Sequence, residues 1–294
     1  MQALYDVPAP AKLNLFLHVT GRRGDGYHLL QSVFMLIDWH DTLHFEARKD
    51  GQISREDIGV ALPADDLIVR AARAMQVFAP AGAGAHIVVE KRIPSQAGMG
   101  GGSSDAASCL LALNRLWSLN LPLSLLADIG LKLGADVPFF LRGRNAWVEG
   151  IGESIRPIEL PSARFMVVKT PQGLDTKAIF SHPTLTRDSE TATISGFAAD
   201  PFGFGRNDLQ AVAQDLCPGV TTALEWLHDR GLQGRMTGSG SAVFAQMREN
   251  SNPANTNAEW RDAPDDWQLR ECMNLGAHPL VGWALSDDSS VGSE

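Results

Sequence analysis

The stretch Pro94-Ser-Gln-Ala-Gly-Met-Gly-Gly-Gly-Ser-Ser-Asp105 (PSQAGMGGGSSD) decides how the rest of the chain is read. It follows a run of strand character, His86–Lys91. It precedes a segment in which Cys109, Leu110, Leu113, Leu116 and Trp117 recur at helical spacing. Gly98, Gly100, Gly101 and Gly102 place four glycines in five positions. Such a backbone approaches a ligand closely and turns its N–H groups inward, and the helix behind it aims its positive end at the same point. That geometry suits a phosphate. Ser103 and Ser104 add hydroxyls, and Ser104 is the candidate contact for a magnesium ion carried by a bound phosphate. No lysine follows the glycines, so this is not a Walker A loop, and the spacing misses the dinucleotide fingerprint. The competing reading is a tight turn with Ser103, Ser104 or Asp105 as helix cap, but a cap needs one such residue and at most one or two glycines.

Upstream, the run from Ala11 alternates: Leu13, Leu15, Leu17 and Val19 face one way, Lys12, Asn14, Phe16 and His18 the other. Period two predicts a strand with one buried face. Thr20–Gly26 reads as a loop. Val33–Ile37 and Thr42–Ala47 read as strands joined by Asp38–Asp41, and Asp65–Phe78 as a helix with acidic residues in its first turn. Downstream, Ser124–Leu133 is helical, another helix starts near Asp136, and Asn145–Glu149 is a strand. The second half holds a strand at Phe165–Lys169, a polar stretch at Ser181–Ser195 and helices at Asn207–Leu216 and Thr221–Arg230. A second glycine-serine turn, Met236-Thr-Gly-Ser-Gly-Ser241, then leads into a strand. Strands and helices mix without strict βαβ alternation, so the class is α+β. The polar run 248–268 reads as a surface insertion and 286–294 as a disordered tail.

Locally, the remaining polar candidates are ambiguous. Lys12 reads on its own as an ordinary solvated strand lysine, and Asp136, just before Val137-Pro138, reads as a helix N-cap with proline in the first turn. The turn at Thr237 and Gly238 either wraps a phosphate or merely connects, and Tyr27, His28 and Phe180 are core or ligand platform.

Composition narrows the class. With 25 basic and 34 acidic residues the formal charge is −9, which argues against nucleic acid or an anionic membrane as partner. Three dispersed cysteines make no metal spacing and no disulfide framework, as a reducing cytoplasm would have it. No run approaches the roughly 18 apolar residues of a membrane span.

Three segments, 8–28 (PAPAKLNLFLHVTGRRGDGYH), 94–107 (PSQAGMGGGSSDAA) and 236–244 (MTGSGSAVF), together with GADVPFF at 134–140, resemble the GHMP kinases, small-molecule kinases that use ATP. The resemblance spans about residues 8–247 and implies a ribosomal S5 domain 2-like N-terminal domain (1–158), a ferredoxin-like C-terminal domain (159–285) and an active site in the cleft between them. It also implies roles. Asp136 would be the general base and Lys12 its partner in stabilising charge. Gly98, Met99, Gly100, Gly101, Gly102, Ser103 and Ser104 would hold the phosphates of Mg²⁺-ATP, with Lys91 and Pro94 on the approach. The first segment is similar to the branch whose acceptor is a cytidine-diphosphate sugar alcohol. Tyr27 and Phe180 would then stack the cytosine, His28 would hydrogen-bond it, Asn14 would orient the polyol, and Thr237 and Gly238 would complete the substrate site. A homoserine- or mevalonate-type kinase and a catalytically inactive nucleotide-binding regulator are the alternatives. Met99, where leucine is common in the family, is similar in volume.

Overall fold

A computed structural model describes residues 1–248, 260 and 262–287. The tail expected at 286–294 lies outside it from residue 288 on, as do residues 249–259 and 261 of the expected insertion.

Two long strands, β1 (Ala3–Arg22) and β2 (His28–Arg48), pair antiparallel along nearly their whole length. The other edge of β2 takes β4 (Gly84–Glu90) at its C-terminal half and β5 (Ala146–Gly150) at its N-terminal half. Beyond these lie β3 (Ile53–Ile58), parallel to β4, and β6 (Ser154–Pro157). Helices α1 (Leu67–Gln76), α2 (Gly101–Leu116), α3 (Leu123–Leu133) and α4 (Val137–Arg142) cover one face around Phe45, Phe139, Phe140, Leu110 and Leu113. A second antiparallel sheet follows: β7 (Arg164–Lys169), β8 (Arg235–Met236), β9 (Val243–Gln246) and β10 (Gln268–Met273), in the order β10-β7-β9-β8. Its segment carries α5 (Thr176–Ser181), α6 (Ile194–Ala199), α7 (Gln210–Leu216) and α8 (Pro218–His228). This is the two-part α+β architecture the resemblance implies.

Three departures from the sequence reading have physical causes. First, β1 is buried on both faces, because Leu13, Leu15 and Phe16 pack on Phe165, Val167 and Phe244 of the second sheet. A bulge between Asn14 and Leu17, opposite Phe34 and Ser32, breaks the alternation. Phe16 thereby leaves the Lys12 side and joins Trp147, Phe197 and Phe204. Second, Asp38–Asp41 is no link but the middle of β2. Asp41 is fully buried because its carboxylate accepts from the backbone N–H groups of Arg92 (2.5 Å) and Ile93 (2.8 Å) and pairs with Lys91. Third, the strand β10 starts inside the run read as an insertion, and Trp260 packs tilted and Trp267 edge-on against Trp226.

The unit expected over 159–285 also gives up its end. After β10 the chain crosses back to the gap that β4 and β5 leave on the edge of β2. Leu275 N–H donates to Leu36 O, while Asn145 accepts from Leu36 N–H and donates to Leu275 O. Leu280 and Trp283 then join the core of the first layer. Unpaired strand edge is costly to bury, and this crossing satisfies it.

Candidate active site

The two glycine turns meet backbone to backbone. Ser241 N–H donates to Gln96 O (3.0 Å) and Ala242 N–H to Ala97 O (3.3 Å), so the turn after β8 is joined to the loop before α2. Gly98 has φ +71°, and a Cβ there would lie 2.1 Å from Thr237 O. Gly100, also at φ +71°, is the N-cap of α2, and a Cβ on it would meet the Phe140 ring at 3.0 Å and Lys12 Cε at 3.3 Å. Glycine is required at both positions. The loop lies tight against Lys12, whose backbone N–H donates to Met99 O (3.0 Å).

Lys12 and Asp136, 124 positions apart in the chain, are brought together here. Asp136 occupies the N-cap position of α4 but makes no cap hydrogen bond. Its Oδ2 instead lies 3.4 Å from Lys12 Nζ, with side-chain exposures of 29% for the carboxylate and 5% for the lysine. Lys12 Nζ also donates to Asn14 Oδ1 (2.5 Å) and sits over the Phe34 ring, 4.5 Å from its centroid. Asn14 is anchored in turn: its N–H donates to Thr237 Oγ1 and its Nδ2 to Ser32 Oγ, both at 2.8 Å. Thr237 is fully buried, so it holds Asn14 and does not face the cavity, whereas Gly238 does line it.

Three cavities run in series. The central one, about 280 Å³, is lined by Lys12, Asn14, Asp136, Gly98 and Gly100. On one side it shares Leu30, Ile151, Thr176 and Phe180 with a cavity that holds Tyr27, His28 and Arg187. On the other it shares Gly98's neighbour Gly100 with a cavity lined by Lys91, Pro94, Gly101, Gly102 and Asp105. The Lys12–Asp136 pair therefore stands between a glycine-lined pocket and an aromatic one.

The structure separates the predicted residues by what their side chains bond to. Ser104 is fully buried and its hydroxyl donates to Pro10 O (2.6 Å), so it is spent on the fold and does not face a phosphate-bound metal; Ser103 is half-buried. Met99 is buried with the core, leaving only its backbone at the loop. Lys91 borders the glycine-lined cavity, but its ammonium is committed to Asp41 and to Asp105 (2.6 Å). Burial opposes its charge, and the carboxylates of Asp105 and Asp41 outweigh that and hold the lysine above its usual range. Burial pushes the Asp105 carboxyl up, against Lys91 and helped by Asp41. In the aromatic cavity the ring pair in contact is His28 with Phe180, at 5.0 Å and 32°, while Tyr27 stands 61% exposed on the same cavity. Ser32, Phe34, Thr176 and Arg187 escaped the sequence reading; nothing local distinguishes them from ordinary strand and loop residues.

No group of three or more His, Cys, Asp or Glu among the described residues could hold a metal ion. No helix among the described residues is long and apolar enough to cross a membrane.

Comparison with known proteins gives the following. The GHMP kinases N terminal domain matches residues 66–144 and the GHMP kinases C terminal domain residues 196–265. A 4-diphosphocytidyl-2-C-methyl-D-erythritol kinase of Albidiferax ferrireducens is 68% identical over 293 residues, covering 100% of each chain. One from Variovorax paradoxus is 65% identical over 97% of this chain and 100% of its own. A crystal structure of 4-(cytidine 5'-diphospho)-2C-methyl-D-erythritol kinase superposes with a TM-score of 0.79 at 30% identity, covering 94% of this chain and 100% of that one. Homoserine kinase from Cytophaga hutchinsonii shares the fold, with a TM-score of 0.68 at 14% identity over 94% and 95% of the two chains.

Proposed function

The chain belongs to the GHMP kinase family, and from that membership we infer that it transfers the γ-phosphoryl group of ATP to the 2-hydroxyl of 4-diphosphocytidyl-2-C-methyl-D-erythritol. The products are the 2-phosphate and ADP, in the non-mevalonate route to isoprenoid precursors. The observation that carries this reading is the Lys12–Asp136 pair, 3.4 Å apart, between a glycine-lined and an aromatic cavity.

Phosphoryl transfer through a loose transition state asks for alignment and charge stabilisation more than covalent help. Asp136 takes the proton of the acceptor hydroxyl, the oxygen bonds to the γ-phosphorus, and the bond to the bridging β–γ oxygen breaks to release ADP. Lys12 stabilises the negative charge that grows on the attacking oxygen and the transferring group. Asn14, held by Thr237 and Ser32, orients the polyol. Gly98–Ser103 cradles the phosphates with backbone N–H groups, and magnesium enters as part of the nucleotide substrate. The Lys91 side chain, tied to two carboxylates, shapes this pocket from behind. Tyr27, His28 and Phe180 receive the cytosine, and stacking on such rings contributes about 1–3 kcal/mol per base.

Homoserine and mevalonate carry no base for that cavity, and an inactive regulator would not need an intact Lys12–Asp136 pair. The test is ADP release with the cytidine-diphosphate substrate, methylerythritol phosphate, homoserine and mevalonate in parallel. Turnover is expected with the first alone. Turnover with another of these alcohols would overturn the substrate, and silence with all four would overturn the reaction.

A further inference from the structure

Arg187 lies in the polar segment after α5, and all of its hydrogen bonds go to neutral acceptors. Nη1 donates to Leu185 O (3.0 Å), Nη2 to Phe180 O (3.2 Å) and His182 O (2.8 Å), and Nε to His28 Nε2 (3.1 Å). No carboxylate pairs with it among the described residues. The first three bonds fold the segment onto the end of α5, which leaves Nε–H aimed at the imidazole.

A guanidinium can only donate. His28 Nε2 must therefore offer its lone pair, and the single proton of the neutral ring must sit on Nδ1. An imidazolium would set N–H against N–H. Burial, then the cations Arg187 and Arg22, lower the affinity of His28 for a second proton, which agrees with this geometry. The opposite tautomer, with the proton on Nε2, would likewise clash with Arg187. His28 is thus held as a one-way donor, its ring already stacked on Phe180 in the cavity shared with Tyr27.

We propose that Arg187 is a specificity-determining positioning residue, which locks His28 as the Nδ1–H tautomer so that the cavity selects cytosine over uracil. The step rests on the reading of this cavity as the base site. At ring position N3 cytosine offers a lone pair, whereas uracil carries N–H. A donor that cannot become an acceptor bonds the first and opposes the second. A histidine free to change tautomer would accept from uracil N3–H and lose the distinction, since specificity needs an element that rejects the wrong partner as well as one that binds the right one.

The experiment compares kcat and KM for the cytidine-diphosphate substrate and its uridine analogue in the wild type, Arg187→Met and Arg187→Lys. Wild type prefers cytidine. Arg187→Met shrinks the ratio of the two kcat/KM values by about tenfold, the worth of one such hydrogen bond, through KM, with the KM for ATP unchanged. Arg187→Lys, which can still donate to Nε2, restores most of the ratio. Equal losses on both substrates in Arg187→Met, or an unchanged ratio, would overturn the proposal. So would a wild type that uses both substrates equally well. Because Arg187 also closes its own loop, a second measurement needs no variant: ¹⁵N-detected NMR of the His28 ring in the wild type without substrate. Protonation at Nδ1 is expected, and protonation at Nε2 refutes the lock. This readout also separates the two levels, since a wild type silent on the cytidine substrate sinks the assigned reaction while the ring spectrum still judges the lock.

Discussion

Asp136→Asn isolates the chemistry from the structure around it. Asparagine keeps the shape of the side chain and leaves Lys12 an amide oxygen to approach, so the central cavity should persist. What disappears is the negative charge 3.4 Å from Lys12 Nζ. At an effective dielectric of about 20 that pair attracts by about 5 kcal/mol, before the cost of holding both groups partly out of water. The carboxylate makes no cap bond to α4, and Lys12 is its one ion-pair partner among the described residues. Its accepting capacity is therefore unspent and faces the cavity. Positioned general-base catalysis supplies about 10²–10⁴ in rate, or about 3–5 kcal/mol of barrier. A fall in kcat of about 10³ follows, with the KM values for ATP and for the alcohol each within about threefold. Steady-state ADP release gives both constants, and calorimetric titration with ATP checks that the nucleotide site is intact. A kcat within tenfold of wild type would remove Asp136 from the proton-accepting role, and a loss confined to KM would move it to substrate binding.

The remaining predictions concern the frame of the site. Gly98→Ala forces a left-handed residue to carry a Cβ 2.1 Å from Thr237 O and 2.8 Å from Gly240 N, both backbone atoms that no rotamer change can clear. It should cost on the order of 3 kcal/mol, whereas Gly102→Ala, whose Cβ meets only Leu67 Cδ1 at 3.6 Å, should be mild; thermal melts of the pair check this, and equal melting temperatures contradict it. His278, buried where the C-terminal segment crosses the first layer, accepts from Leu280 N–H through Nδ1 and is pushed down to about 4 by burial. Its folded value is below the usual 6.5, so the neutral form is the folded form. The stability it supports is complete above about pH 6.5 and is lost as the pH falls from there towards 4. At pH 5 the loss is about 2 kcal/mol. Unfolding free energies from denaturant melts should fall between pH 7 and pH 5 by about 2 kcal/mol more in the wild type than in His278→Asn, and parallel losses in the two proteins would show that another group titrates.

The parts of the site legible in the sequence are those built from backbone. Four glycines in five positions leave few foldings, and Gly98 and Gly100 both take the left-handed conformation that the run anticipates. Side-chain roles were less legible because they are made at long range. Asp136 looks like a helix cap from its neighbours and stands at the cap position, yet its carboxylate is turned towards a lysine 124 residues upstream. Asp38–Asp41 looks like a break between strands, because no local pattern reveals that Lys91 and the N–H groups of Arg92 and Ile93 neutralise and bond Asp41 inside β2. Alternation along β1 failed at Phe16, where a bulge reverses the side chain. Arg187 gave no signal at all, since its partner His28 is 159 positions away.

Two lysine–carboxylate groups border the same glycine loop, and their surroundings separate their duties. Lys91 lies between Asp41 and Asp105, and Asp41 is further held by two backbone N–H groups. Asp105 and Asp41 are buried to 2% and 0% side-chain exposure. That cluster ties β2, the end of β4 and the second turn of α2 into one piece, and removing Lys91 would leave two buried carboxyls facing each other without a cation, at several kcal/mol. Its hydrogen-bonding capacity is largely consumed, so it fixes where the loop stands. The Lys12–Asp136 pair is built the other way. Lys12 is buried against Phe34 and anchored by Asn14, but it faces a carboxylate that is 29% exposed, on the wall of the central cavity. A group that acts on a substrate must keep part of its capacity for that substrate, and of the two lysines bordering the loop only Lys12 has an ion-pair partner that does.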